Sequence, residues 1–104
     1  MVDATNNNGL TALHLAAERG KDAVATQLLK AKASVHSENN GGNTPLHYAA
    51  YNGHAVVADL LLGANANPNA VDKAGYTPAQ YAEQRGHREL AERLRQAESR
   101  AAAT

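Results

Sequence analysis

Apolar side chains recur along the chain at a fixed spacing, and threonine and glycine positions keep the same spacing between them. Sets of three apolar residues stand 33 positions apart: Leu13, Leu46 and Ala79; Ala16, Ala49 and Ala82; Val24, Val57 and Leu90; Leu28, Leu61 and Leu94. The same period joins Thr11, Thr44 and Thr77, as well as Gly9, Gly42 and Gly75. A fixed period of this length is the signature of a repeat architecture. The pattern predicts one domain, residues 1–104, with three units over about 6–38, 39–71 and 72–104.

The second unit carries the local signals of a helix, a turn and a second helix. Thr44 is a favourable N-cap, and Pro45 suits the first helical position, where no N–H donor is needed. A short helix is therefore expected from Pro45 to about Tyr51, ended by Asn52-Gly53. From about Ala55 to Leu62 the apolar residues recur at helical intervals, which indicates a second amphipathic helix. Residues 63–75 have the composition of a loop followed by a β-turn, which leads to the next unit.

These motifs resemble the ankyrin repeat family over nearly the whole chain. Residues 39–71 contain its Thr-Pro-Leu-His, Ala-Ala and Gly-His motifs, and unit one matches with Ala12 in place of proline. The resemblance implies an all-α solenoid of helix-turn-helix units joined by β-hairpin-like turns, in which each unit buries its apolar face against its neighbours. Asn65 and Lys32 stand where the family has a glycine after the second helix, so we expect a less favourable helix end at Lys32.

The two ends of the array differ from its middle. In unit three, polar Gln80, Glu83 and Arg95 replace the histidine, alanine and leucine of the earlier units, which predicts a C-terminal cap. Residues 2–4 align with the closing loop of a repeat, and unit one has no comparable polar replacements. Two interpretations stay open: the chain was cut from a longer array whose preceding repeat is absent, or residues 1–38 form an unusual natural N-terminal cap.

Composition narrows the class of protein further. A chain of 104 residues is too short for a multidomain enzyme. Ten basic side chains balance ten acidic ones, which disfavours nucleic acid and anionic membranes as partners. Apolar runs such as residues 60–62 are far shorter than the roughly 20 residues of a membrane span, and residues 1–8 lack the features of a secretory signal. We therefore expect a soluble protein, and the absence of cysteine makes an intracellular location the default.

The five histidines are the main candidates for metal binding or acid–base chemistry. His14 and His47 share one repeat position, and the resemblance implies that each imidazole hydrogen-bonds the threonine of its motif and nearby backbone. His54 and His87 follow the glycine between the helices, and His36 alone falls outside the pattern. We see no nucleophile with its base, no paired carboxylates and no phosphate-binding loop. The sequence thus predicts no enzyme, no cofactor and no metal site.

The resemblance also implies where a partner binds. In ankyrin proteins this is usually the concave surface, which is formed by the turn tips and the exposed edges of the first helices. The predicted protein-binding residues on it are Leu10, Arg19, Asn43, Tyr51, Asn52, Lys73, Tyr76 and Arg85, and the same helix edges carry Glu18 and Gln84. Because tyrosine and arginine often anchor interfaces, Tyr51, Tyr76, Arg19 and Arg85 are the predicted anchors. Tyr48 and Tyr81 replace Leu15 and are expected to be partly buried packing residues.

The resulting functional hypothesis is a non-catalytic, monomeric module that binds another protein on its concave surface. The alternative is a structural or autoinhibitory segment of a larger enzyme, channel or transcriptional regulator, with mainly intramolecular contacts. The two differ in whether the isolated chain retains a separate partner.

Overall fold

The computed structural model describes residues 2–103, with only the backbone of Ala103. Six helices form within this range: α1 Ala12–Arg19, α2 Asp22–Lys30, α3 Pro45–Asn52, α4 Ala55–Gly63, α5 Pro78–Gln84 and α6 Arg88–Ala103. The described residues contain no strand. The helices pair within each unit, and the first helices α1, α3 and α5 pack side by side from one unit to the next. The predicted all-α fold is confirmed, and the helix bounds in unit two agree with the prediction to within one residue.

Each first helix begins with a reciprocal cap. The hydroxyl oxygens of Thr11, Thr44 and Thr77 accept the backbone N–H three residues later, and the side chain of that later residue accepts the threonine N–H. In α3 and α5 a proline follows the threonine at the first helical position. The threonine in every unit is therefore a local start signal, which is why the sequence alone located these helices.

The helix ends use left-handed backbone. Gly20 and Gly53 end α1 and α3 with φ of 66° and 74°. After α2 and α4 the left-handed positions are taken by Lys32, at φ 69°, and Asn65, at φ 71°. Asparagine tolerates this conformation better than lysine, whose Cβ crowds the backbone there. Both residues thus adopt the left-handed conformation expected at the position where the family has a glycine.

The core is built from leucine, valine and alanine. Leu46, Leu61 and Leu94 are completely buried, and alanines on the first helices allow these helices to approach closely. The repeat register does not make equivalent positions equally buried: Val24 is 49% exposed, although Val57 at the same position is fully buried. Helix α4 packs against α2 of the unit before it, whereas the described residues contain no second helix before α2 that could cover Val24 in the same way.

Backbone hydrogen bonds hold the turn tips beside one another. Each tip is closed by an N–H of its first residue donating to a carbonyl four residues later, as from Asp72 to Tyr76 at 3.0 Å. Adjacent tips are joined by Asn40 N–H to the Asn8 carbonyl and by Lys73 N–H to the Gly41 carbonyl, both at 3.0 Å. Residues 33 positions apart therefore become neighbours along the stack.

The outer side of unit three is polar. Gln80 and Glu83 on α5 are exposed, and Glu83 forms an ion pair with Arg95 of α6. The exposure predicted for these replacements is confirmed. Arg93 reaches the other way and pairs with Asp59 of α4 at 2.8 Å, which links the second helices of units two and three.

Candidate functional site

The two motif histidines are structural groups with a defined protonation state. Both rings are buried. Nδ1 of His47 accepts the backbone N–H of Thr44 at 3.0 Å, so Nε2 carries the proton and donates to the Tyr76 carbonyl at 2.9 Å. His14 repeats the arrangement and donates to the Asn43 carbonyl at 2.8 Å. Burial lowers the pKa of both imidazoles. The predicted bonds to threonine and backbone are confirmed, and both rings are neutral crosslinks between units.

His54 and His87 also join neighbouring units. Nε2 of His54 lies 3.0 Å from the Glu18 carbonyl, and Nε2 of His87 lies 3.1 Å from the Tyr51 carbonyl. Each ring sits against the helix-ending glycine of the preceding unit, where even a Cβ would be closer than 3.0 Å to ring atoms. These rings fill a repeated structural position, as the sequence predicts.

Asp72 is the centre of a buried polar network at the turn tip of unit three. Its Oδ1 accepts the backbone N–H groups of Ala74 and Tyr76, both at 3.0 Å. Its Oδ2 accepts the side-chain amide of Asn43 at 2.8 Å and a hydrogen bond from the Tyr81 hydroxyl. Burial raises the pKa of Asp72, but these hydrogen bonds together outweigh it and hold the pKa below its usual value. Burial and the Asp72 carboxylate raise the pKa of Tyr81 to about 12.

Unit two has a neutral version of the same arrangement. Asn39, which stands one period before Asp72, accepts the N–H groups of Gly41 and Asn43, both at 2.9 Å, and donates to the Tyr48 hydroxyl at 2.8 Å. Tyr48 and Tyr81 are therefore held by the tips of their own units. Both are half-buried, which confirms the prediction that they are packing residues.

Three of the four predicted anchors take part in one set of aromatic ring contacts, and the fourth does not. Tyr51 is 41% exposed and Tyr76 is 37% exposed. Both rings contact Tyr81, with centroids 5.8 and 5.3 Å away, and the Arg85 guanidinium lies 4.7 Å above the Tyr51 ring. Tyr51, Tyr76, Tyr81 and Arg85 form one group, which we call the aromatic cluster. Arg19 is exposed and is not one of these ring contacts.

The remaining predicted binding residues are spread around this cluster. Asn43 is half-buried and bound to Asp72, and Asn52 is half-buried and donates its amide to the Tyr48 carbonyl at 3.1 Å. Lys73 is exposed and Leu10 is half-buried, and neither belongs to the ring contacts of the cluster. The structure thus brings Tyr51, Tyr76 and Arg85 together but does not gather all eight predicted residues.

A cleft of about 260 Å³ lies beside the aromatic cluster. All three units contribute to its lining, which consists of Glu18, Asn43, His47, Tyr48, Tyr51, Asn52 and Tyr81. The eight predicted binding residues include Tyr51, Asn43 and Asn52 but not His47, Tyr48, Tyr81 or Glu18, although Glu18 was placed on the same helix edges. The repeat register could have indicated that these residues share a surface, because Glu18 stands one period before Tyr51, and Tyr48 one period before Tyr81. We call these seven residues the tyrosine cleft.

The described residues offer neither a metal-binding cluster nor a membrane-spanning helix. Within residues 2–103, no cluster of three or more histidine, cysteine or acidic side chains is arranged to hold a metal ion. Over the same part of the chain, no helix combines the length and apolar character that crossing a bilayer requires.

Comparison with known families identifies the repeat. The sequence matches the family model described as ankyrin repeats (3 copies) over residues 1–72 and again over residues 36–103. A search of curated proteins gave no significant match. The two matched ranges together cover nearly every residue, and they agree with the capped helix pairs and the histidine crosslinks described above. The chain therefore belongs to the ankyrin repeat family.

Proposed function

We propose that this chain is a non-catalytic module that binds another protein on its concave surface. Ankyrin repeats are generally protein–protein interaction modules. Four of the five histidines are engaged as structural crosslinks, and both nitrogens of His14 and His47 are already bound. The turn tips and the first helices provide an exposed surface that could recognise a partner.

The aromatic cluster is the observation that carries the proposal. Tyr51 and Tyr76 belong to different units, yet both rest against Tyr81 and remain exposed. Contacts with Tyr81 and Arg85 restrict the rings before a partner arrives, so less side-chain freedom is lost on binding. Large, preorganised rings next to an arginine have the composition of an interface hot spot.

Affinity capture from a cell extract tests this proposal. The tagged chain should retain a partner, and Tyr51→Ala should reduce the retained amount. Val56→Ala is the matched control, because Val56 is also exposed but lies on a second helix. Equal retention by both variants would contradict the assignment of binding to the concave surface. A segment with mainly intramolecular contacts would retain little beyond the rest of its own parent chain.

A further inference from the structure

We propose that the tyrosine cleft receives a basic side chain, lysine or arginine, from the protein partner. This inference rests on the proposed function, because it assumes a protein on the concave surface. It adds the chemistry by which that partner is recognised: a positive charge carried on an apolar stem.

The electrostatics of the cleft favour a cation. Glu18 is the one acidic side chain among the seven lining residues, and none of them is a lysine or an arginine. His47 contributes no positive charge, because Nδ1 accepts a hydrogen bond and burial lowers its pKa. Asp72 does not line the cleft, but its ionised carboxylate is hydrogen-bonded to Asn43 and Tyr81, two of the lining residues. The ionised groups that line the cleft or are bonded to its lining are therefore acidic.

The aromatic walls add a second attraction for a positive charge. Tyr48, Tyr51 and Tyr81 present rings around the cleft. Cations are attracted to the faces of such rings, by about 0.5–1 kcal/mol at exposed sites and more where water is excluded. Within this chain, Arg85 already places its guanidinium 4.7 Å above the Tyr51 ring. Arg85 is not among the lining residues of the cleft.

The size of the cleft suits one side chain. Its volume of about 260 Å³ lies just below the range of roughly 300–1,000 Å³ that is usual for small-molecule pockets. Its lining combines the apolar surfaces of three tyrosines with the polar ends of Glu18, Asn43 and Asn52. Such a mixture accommodates the methylene stem of a basic residue and its charged end together.

The rigidity of the walls supports a preformed site. The Tyr48 hydroxyl is fixed by Asn39, the Tyr81 hydroxyl by Asp72, and the Asn52 amide by the Tyr48 carbonyl. None of these hydrogen bonds engages the carboxylate of Glu18. This side chain is half-buried at the edge of the cleft. A basic side chain could thus enter without a rearrangement of the tyrosine rings.

A titration with small probes tests the cleft without knowledge of the partner. The probes are the Nα-acetyl methylamides of lysine, arginine and norleucine, followed by ¹H–¹⁵N correlation spectra of the whole chain. We expect saturable shifts at Glu18, Tyr51 and Asn52 with the lysine or arginine probe, and binding at least about threefold weaker for neutral norleucine. The comparison of lysine with arginine shows whether an ammonium or a guanidinium fits better.

Two variants distinguish a local charge from the charge of the whole protein. Glu18→Gln should weaken binding of the cationic probes by about two- to fivefold. Glu89→Gln removes the same charge from an exposed position on α6 and should leave binding unchanged. The spectra also report whether each variant is folded.

Three results would overturn the inference: no shifts at the cleft residues, equal binding of norleucine, or equal effects of the two glutamate substitutions. None of these results decides whether a protein binds the concave surface, since the capture experiment with Tyr51→Ala tests that separately. A failed titration with successful capture would show that the partner binds here through other chemistry.

Discussion

His47 donates a hydrogen bond from Nε2 to the main-chain carbonyl of Tyr76 at 2.9 Å. A buried ring of unit two therefore holds the turn tip of unit three, and with it one of the exposed tyrosines of the aromatic cluster. Nδ1 of the same ring caps the start of its own helix by accepting from Thr44. The stacking of units two and three and the start of α3 thus depend on the same side chain.

Replacing this ring should destabilise the protein strongly. His47→Ala leaves the Thr44 N–H and the Tyr76 carbonyl without their partner, and an unsatisfied buried polar group costs about 1–3 kcal/mol. We expect a total loss of about 2–4 kcal/mol in urea unfolding. Gln80→Ala is the matched control, since Gln80 occupies the same repeat position at the exposed side of unit three. Its loss should be about 1 kcal/mol, the usual cost of a helix cap. Equal losses would show that the crosslink between units contributes little.

Acid should weaken the fold because His14 and His47 are buried as neutral rings. Burial lowers the pKa of both below the ordinary value of 6.5, so the unfolded chain binds these protons more readily than the folded one. Their contribution to stability is complete above about pH 6.5 and is lost as the pH falls through the lowered values. Asp72 stays ionised near neutrality, because its pKa lies below its usual value.

Urea unfolding at a series of pH values between 7.5 and 5 measures this effect. The midpoint should fall steadily towards the acid end. The double variant His14→Gln/His47→Gln should be less stable at neutral pH and should lose less on acidification. A midpoint independent of pH in the unmodified protein would contradict the assignment of neutral rings.

Leu61 tests the core. It is completely buried on α4, and Leu61→Ala should cost about 2–4 kcal/mol through lost burial and the cavity left behind. Leu28 occupies the same repeat position on α2 but is only half-buried, so Leu28→Ala should cost less. Urea unfolding followed by circular dichroism compares them. A loss under 1 kcal/mol for Leu61→Ala would mean that the residue is not part of the core.

Unit one should open before units two and three. Val24 is exposed where Val57 is buried, Ala12 stands in place of proline, and Lys32 adopts a left-handed conformation. Repeat arrays gain stability from each interface between neighbours, so a unit with less covered surface opens more easily. Hydrogen exchange should show weaker protection over residues 13–29 than over residues 46–62. Equal protection would favour the interpretation of residues 1–38 as a true cap.

The sequence sufficed wherever the determining interactions were local. Thr44, Pro45 and Gly53 set the bounds of α3 through contacts within a few residues, and the left-handed positions of Lys32 and Asn65 followed from the repeat register. Val24 is exposed although Val57 is buried, because burial at this position depends on a second helix packed over it, which a register alone does not supply.

The candidate site was only partly predictable. Tyr51, Tyr76 and Arg85 were identified by residue type and repeat position. The bond between Asn43 and Asp72 and the contribution of Glu18 to the tyrosine cleft depend on how the units stack. Residues in different units meet only after the whole array has formed, so motifs within one unit did not indicate these contacts.

The affinity of a captured partner for the Tyr51→Ala/Tyr76→Ala double variant tests the account most directly. Isothermal titration should show binding weakened by about 1–3 kcal/mol if either ring is an anchor. Urea unfolding should change little, because each exposed substitution usually stays within about 0.5 kcal/mol. Tyr48→Ala is the control, since Tyr48 is half-buried and held by Asn39, and it should lower stability more than binding. Undiminished binding by a folded double variant, or its unfolding, would contradict the concave surface as the place where a protein binds.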